Sequence, residues 1–159
     1  MARGGIFSGV NRDSLLDSLR TAFAAVAAML LARLLQMPEY YWAPISTIVI
    51  VQSTIPPHTL GWQRFVGTAM GAVLGAALAT YFPATALVYG LGILLCGILA
   101  RCLRVGGAYR FAAITLSIIL LIPHPHNAWI TGLHRFLEVS VGIAVALVVT
   151  TLWPLKKTT

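Results

Sequence analysis

Three arginines, Arg64, Arg110 and Arg135, stand where long apolar runs begin. A guanidinium offers a planar fork of donors that matches a carboxylate, and the free amides of a helix start also favour an anion. Upstream, the run YYWAPISTIVIVQS sets Trp42, Ser46 and Ser53 on one helical face with Gln52 beside it, a polar seam able to line a passage. Ser117 holds a similar place in a later run that opens near Arg110. The plainer readings are hydroxyls bonded back to their own helices and arginines that anchor topology. Glu138 lies about two turns inside the last apolar run, where a carboxylate is costly and a functional candidate by default. It is the proton-coupling candidate, with Arg135 one turn away as its expected partner. Arg33 reads as snorkelling or pairing with Glu39, outside the site.

Other chemistry is poorly represented. His124 and His126 have the spacing of a weak metal motif without a third ligand nearby, so no metal is expected. Cys96 and Cys102 share one apolar run at a spacing that fits neither a zinc site nor a secreted disulfide framework, and read as free thiols. No nucleophile–base constellation, phosphate loop or carboxylate pair occurs, so neither an enzyme nor a cofactor is expected. The formal charge of +7 does not imply nucleic acid, because the basic residues sit at the ends of apolar runs instead of clustering on a soluble face.

The elements that must position these residues are membrane helices. With 58% hydrophobic residues, 9% charged residues and a mean hydropathy of +0.86, the chain has too few charges to cover a water-facing surface. Six spans are expected at about 15–37, 41–55, 62–82, 84–102, 108–122 and 130–153, in one transmembrane domain. Ser14 with Asp17 reads as a capping-box variant opening the first span, and Pro38, Pro56-Pro57 and Pro83 close the first three. No cleavable signal peptide is apparent, so the first span is expected to act as its own insertion signal. Gly67, Gly71 and Gly75 recur every fourth residue, a face made for close helix packing, and Gly142 lies on a similar face. Most span-end arginines and lysines fall on one side, which sets both termini in the cytoplasm.

The chain also resembles itself. Setting Gly61 on Gly132 brings Arg64 onto Arg135, Phe65 onto Phe136, Gly71 onto Gly142 and Pro83 onto Pro154, and pairs Ser46 with Ser117. Two three-span repeats follow, at about 14–83 and 84–154. An odd span number makes them inverted, as in many secondary transporters. The second and fifth spans are both short, which points to the permeation pathway.

The runs YYWAPISTIVIVQS, HTLGWQRFVGTAMGAVLGA and RFLEVSVGIAVAL together resemble the fusaric-acid-resistance-like family. That family includes the aromatic acid exporters, and its membrane unit is related to the plant aluminium-activated malate channels. The resemblance covers nearly the whole chain. It implies a six-span unit in the bacterial inner membrane that moves organic, often aromatic, carboxylates, with proton dependence in the exporters. It supports Trp42, Gln52, Arg64, Gly67, Gly71, Arg135 and Glu138 as family-pattern residues. Full-length exporters usually add cytoplasmic domains and a second membrane block, so a homodimer is expected here. A periplasmic adaptor or a separate soluble domain is a candidate partner. The rival readings are a passive organic-anion channel of the same fold and a non-transporting assembly or regulatory subunit.

Overall fold

The computed structural model describes residues 12–123 and 127–154, which form six α-helices and one 3₁₀ turn. The helices are α1 (Arg12–Leu34), α2 (Trp42–Val51), α3 (Pro57–Tyr81), α4 (Ala86–Cys102), α5 (Tyr109–Leu121) and α6 (Ala128–Leu152). No strand occurs among the described residues. Two helices, α1 and α6, are both long and apolar enough to cross a bilayer among the described residues. Leu19, Phe23, Val26 and Leu30 of α1 and Leu87, Leu91, Leu94 and Ile98 of α4 all face outward. So much exposed apolar surface suits lipid rather than water.

The expected boundaries shift in places. Ser14 lies inside α1, which already includes Arg12 and Asp13, so it is not the helix cap. The Asp17 carboxylate instead takes Arg20 at 2.7 Å and the Gln52 amide at 3.1 Å. Arg20 is itself buried and donates to the carbonyls of Trp153 at 3.2 Å and Val51 at 3.5 Å. A cation there offsets the unpaired carbonyls at the ends of α6 and α2, and brings those ends to one level. Proline at its first position starts α3 at Pro57, five residues before the expected start. His124 and His126 lie outside the described residues, as do Lys156 and Lys157.

Small residues decide which helices meet. A Cβ on Gly67 would strike the Ala108 carbonyl and Phe111, and one on Gly71 would strike the Ala112 carbonyl and Thr115. Gly75 runs on against Leu116 and Ile119, so the glycine face of α3 holds α5 at backbone contact. On α6 the same role falls to Gly142, whose Cβ would strike the Ala43 carbonyl and Ser46 of α2. Thr47 bonds the Gly142 carbonyl at 2.9 Å and closes that seam. α3 and α6 cross antiparallel, with Phe65 against Phe136 at 4.9 Å between ring centres. The alanine stripe of α1 (Ala28, Ala32) packs on Ala43.

α2 has 10 residues and α5 has 13, shorter than expected from the sequence. That is about 15 and 20 Å of helix against a hydrocarbon core of about 30 Å. α5 starts beside Gly67, well inside α3, and α2 starts beside Arg135, well inside α6. Both short helices therefore open part-way along the helix they pack on. The helices before them close alike. The Met37 amide donates to the Ala32 carbonyl and that of Gln36 to Arg33, while the Val105 amide donates to Ala100 and that of Arg104 to Arg101. Gln36 (φ 53°) and Arg104 (φ 56°) take the left-handed position where such caps usually carry glycine.

Candidate functional site

Arg64 and Arg135 lie seven residues inside α3 and α6, not at their starts as the sequence suggested. Their own helix N-termini therefore do not supply the positive field expected of them. The starts of α2 and α5 do lie close by, because each arginine covers an aromatic ring in the first turn of a short helix. The Arg135 guanidinium lies 3.7 Å from the centre of the Trp42 ring, and that of Arg64 lies 5.0 Å from Phe111. Neither short helix has a side-chain cap on its first amides. Both arginines are buried, at 8% exposure for Arg64 and 3% for Arg135. Neither is a surface anchor.

The two arginines are satisfied differently. Arg135 Nη2 meets Glu39 Oε2 at 2.9 Å, and the Trp42 indole N–H donates to the same oxygen at 3.0 Å. Glu138, at 1% exposure, does not pair with Arg135 as expected. Its Oε1 accepts the backbone N–H of Glu39 at 2.8 Å, and its Oε2 has no partner. Arg64 forms no salt bridge among the described residues. Its Nη2 donates to Ser46 Oγ at 3.1 Å, and its Nε has no partner. Ser46 in turn donates to the Trp42 carbonyl, which leaves its oxygen free to accept from Arg64. A cavity of about 20 Å³, room for about one water, lies between the arginines with Thr68, Thr115, Ile118 and Val139 in its wall.

The remaining sequence-predicted residues scatter. Arg110 is exposed on α5 with its guanidinium 4.8 Å from the Phe111 ring, so two cations approach one aromatic ring. Gln52 bonds Asp17 and Thr21 on α1, away from the arginines. Ser53 accepts the Ile55 amide and lines a separate cavity of about 250 Å³ beside Arg20. Ser117 bonds Tyr89 at 3.0 Å and the Ala113 carbonyl, so it does not correspond to Ser46. In the packing on α3 and α6 the residue placed like Ser46 is Thr115, just as Ala112 matches Ala43 and Phe111 matches Trp42. A two-residue slip in the connections hid this from a fixed-shift comparison. Arg33 lies over Tyr40 at 4.9 Å, leaving Glu39 to Arg135.

Two buried arginines and the buried Glu138, met by the half-buried Glu39 and two aromatic rings and wrapped in an apolar exterior, make a polar centre for a membrane protein. The family profile described as fusaric acid resistance protein-like matches residues 26–149. The chain belongs to this family. It is therefore a membrane protein, as its composition led us to expect, and a member of the transporter-like family that its sequence motifs resemble. Inner membrane protein YeeA of Escherichia coli (strain K12) is 26% identical over 145 residues, covering 85% of this chain and 40% of that relative. The chain thus spans about two fifths of the length of the curated relative it matches. No solved structure matches it.

Proposed function

We propose that this member of the family is an inner-membrane transporter, exporting organic and foremost aromatic carboxylates with coupling to protons. The observation that carries the reading is Arg64. A buried guanidinium with no carboxylate partner and an unsatisfied Nε has a large desolvation cost, which an incoming anion would offset. The Phe111 and Trp42 rings beside the two guanidiniums offer apolar faces to an aromatic acid. The starts of α2 and α5 add the half-helix dipoles that anion carriers use at mid-depth. Matched glycine contacts, matched cation–ring pairs and matched helix caps support two inverted repeats within one six-span domain. The cavity between the arginines, at about 20 Å³, is too small for an aromatic carboxylate, so in this reading the site widens to take its anion.

In this reading Glu138 is the proton-coupling residue, and a homodimer covers the exposed Arg110. A periplasmic adaptor or separate soluble domain would complete the assembly. The chemistry is binding and translocation, not catalysis. Proteoliposomes loaded with labelled benzoate, or with a labelled dicarboxylate, test it. We expect benzoate flux that rises with an imposed pH gradient and falls to background in Arg64→Gln. Flux equal to that of empty liposomes for both anions would leave the assembly-subunit reading in its place. Flux indifferent to the pH gradient would reassign the protein as a channel.

A further inference from the structure

The carboxylate that already occupies Arg135 belongs to the connection between α1 and α2, residues 35–41, not to a helix. Glu39 has a side chain 34% exposed, whereas the Arg135 side chain it meets is 4% exposed. It therefore reaches from an accessible position into a buried one. Its Oε2 is held by a guanidinium N–H at 2.9 Å and an indole N–H at 3.0 Å, beside the Trp42 ring face. Those are the donors an aromatic carboxylate would use at the same place. Arg135 keeps Nε and Nη1 unpartnered while Glu39 is bound, so the guanidinium is engaged through only part of its fork. A ligand using the fork more fully would compete well.

We propose that Glu39 is a resting occupant of the carboxylate subsite at Arg135, a tethered internal anion that transported carboxylates displace. The proposal rests on the transport reading and gives that site its gate. Exchange of one carboxylate for another on Arg135 leaves the buried cation paired throughout, so it avoids exposing an unpaired charge to the low-dielectric interior. Glu138 holds the other end of the device. Its Oε1 accepts the Glu39 backbone N–H at 2.8 Å, which holds residue 39 against α6 while its side chain occupies the subsite and loosens with the connection when that side chain is displaced. Arg64 and its neighbours receive the incoming anion before the exchange, since no acid occupies them.

A tethered competitor lowers apparent affinity by the fraction of time it leaves the site free. An occupant engaged about nine-tenths of the time costs about ten-fold. Glu39→Gln keeps the size and a hydrogen-bonding end but cannot compete as an anion. Benzoate binding to purified protein in detergent, followed by isothermal calorimetry, should tighten about ten-fold in Glu39→Gln. In the wild-type protein, saturating benzoate should speed hydrogen exchange across residues 35–41, a readout that needs no substitution. Equal or weaker benzoate binding by a folded Glu39→Gln protein, with wild-type binding intact, overturns the gate and leaves the transport reading standing. So does exchange at residues 35–41 that slows or stays unchanged on binding. Absence of benzoate and malate binding in both proteins overturns the gate together with the transport reading.

Discussion

The corner around Arg135 and the corner around Arg64 share one architecture and differ in charge. Each sets an arginine of a long helix over an aromatic ring in the first turn of a short one. Each has a glycine about two turns further along that holds the short helix at backbone contact. Around Arg135 two carboxylates complete the arrangement, one on the guanidinium and one on the backbone of the first. Around Arg64 a serine hydroxyl stands instead, and a second cation, Arg110, shares the ring. The difference divides labour between the corners. In the proposed reading the neutralised corner holds the fold and gates the site, and the corner without an acid attracts the ligand.

The largest effect should come from removing the neutralised cation. Arg135→Gln takes the cation from Glu39 and from the Trp42 ring, and because the Glu39 side chain is 34% exposed the cost falls toward the lower end of the about 3 to 5 kcal/mol that breaking a buried pair carries. Unfolding in a denaturing detergent titration should show a loss of that order, while Arg64→Gln, which strands no acid, loses far less. Equal losses would erase the distinction between the corners. Next come the glycines. Gly71→Leu and Gly142→Leu each push a side chain into a backbone carbonyl, and should each cost about 1 to 3 kcal/mol or more in the same assay. Matched losses sharpen the likeness of the two halves, and a tolerated substitution in one of them breaks it.

For Arg64 the relevant readout is affinity. Arg64→Lys keeps the charge and loses the planar fork, so benzoate should bind about five-fold to a hundred-fold more weakly, equivalent to about 1 to 3 kcal/mol. Unchanged binding would reduce Arg64 to a structural cation and move the case for ligand contact to Arg110 and Arg135.

Much of this was legible in the sequence because it follows from composition and spacing. The apolar content announced the bilayer, Gly67, Gly71 and Gly75 announced a packing face, and Arg64 and Arg135 fell into register on their own. What stayed hidden depends on where helices start in three dimensions. Pro57 extends α3 backwards, so an arginine that looked terminal lies inside the helix. Glu39 was weighed only as one of two alternatives for Arg33, because nothing local shows a connection folding back onto α6. Thr115 was passed over in favour of Ser117, since the slip of two residues between the halves moves the wrong side chain into correspondence, and Phe111 was passed over for Arg110, a cation read at a helix start. Arg20 looked like one more span-end cation, and its task of meeting two helix ends depends on Val51 and Trp153 arriving at the same place.

The smallest effect concerns the helix caps that precede the two corners. Gln36 and Arg104 each hold a left-handed backbone, at φ 53° and 56°, in the same pair of capping hydrogen bonds. For an L-residue with a Cβ that region costs roughly 1 to 2 kcal/mol, and glycine avoids the cost. Glycine also gives the unfolded chain more freedom, which takes back about 0.4 to 1 kcal/mol. Gln36→Gly should therefore stabilise the protein slightly, by about 0 to 1.6 kcal/mol. Both side chains are exposed, so few packing contacts are lost. Arg104→Gly should match it if the two caps are equivalent devices in equivalent halves. A gain at one position and a loss at the other, measured in the same detergent titration, would mean that the caps coincide in geometry but serve different neighbours. The likeness of the halves would then be confined to α3, α6 and the short helices packed on them.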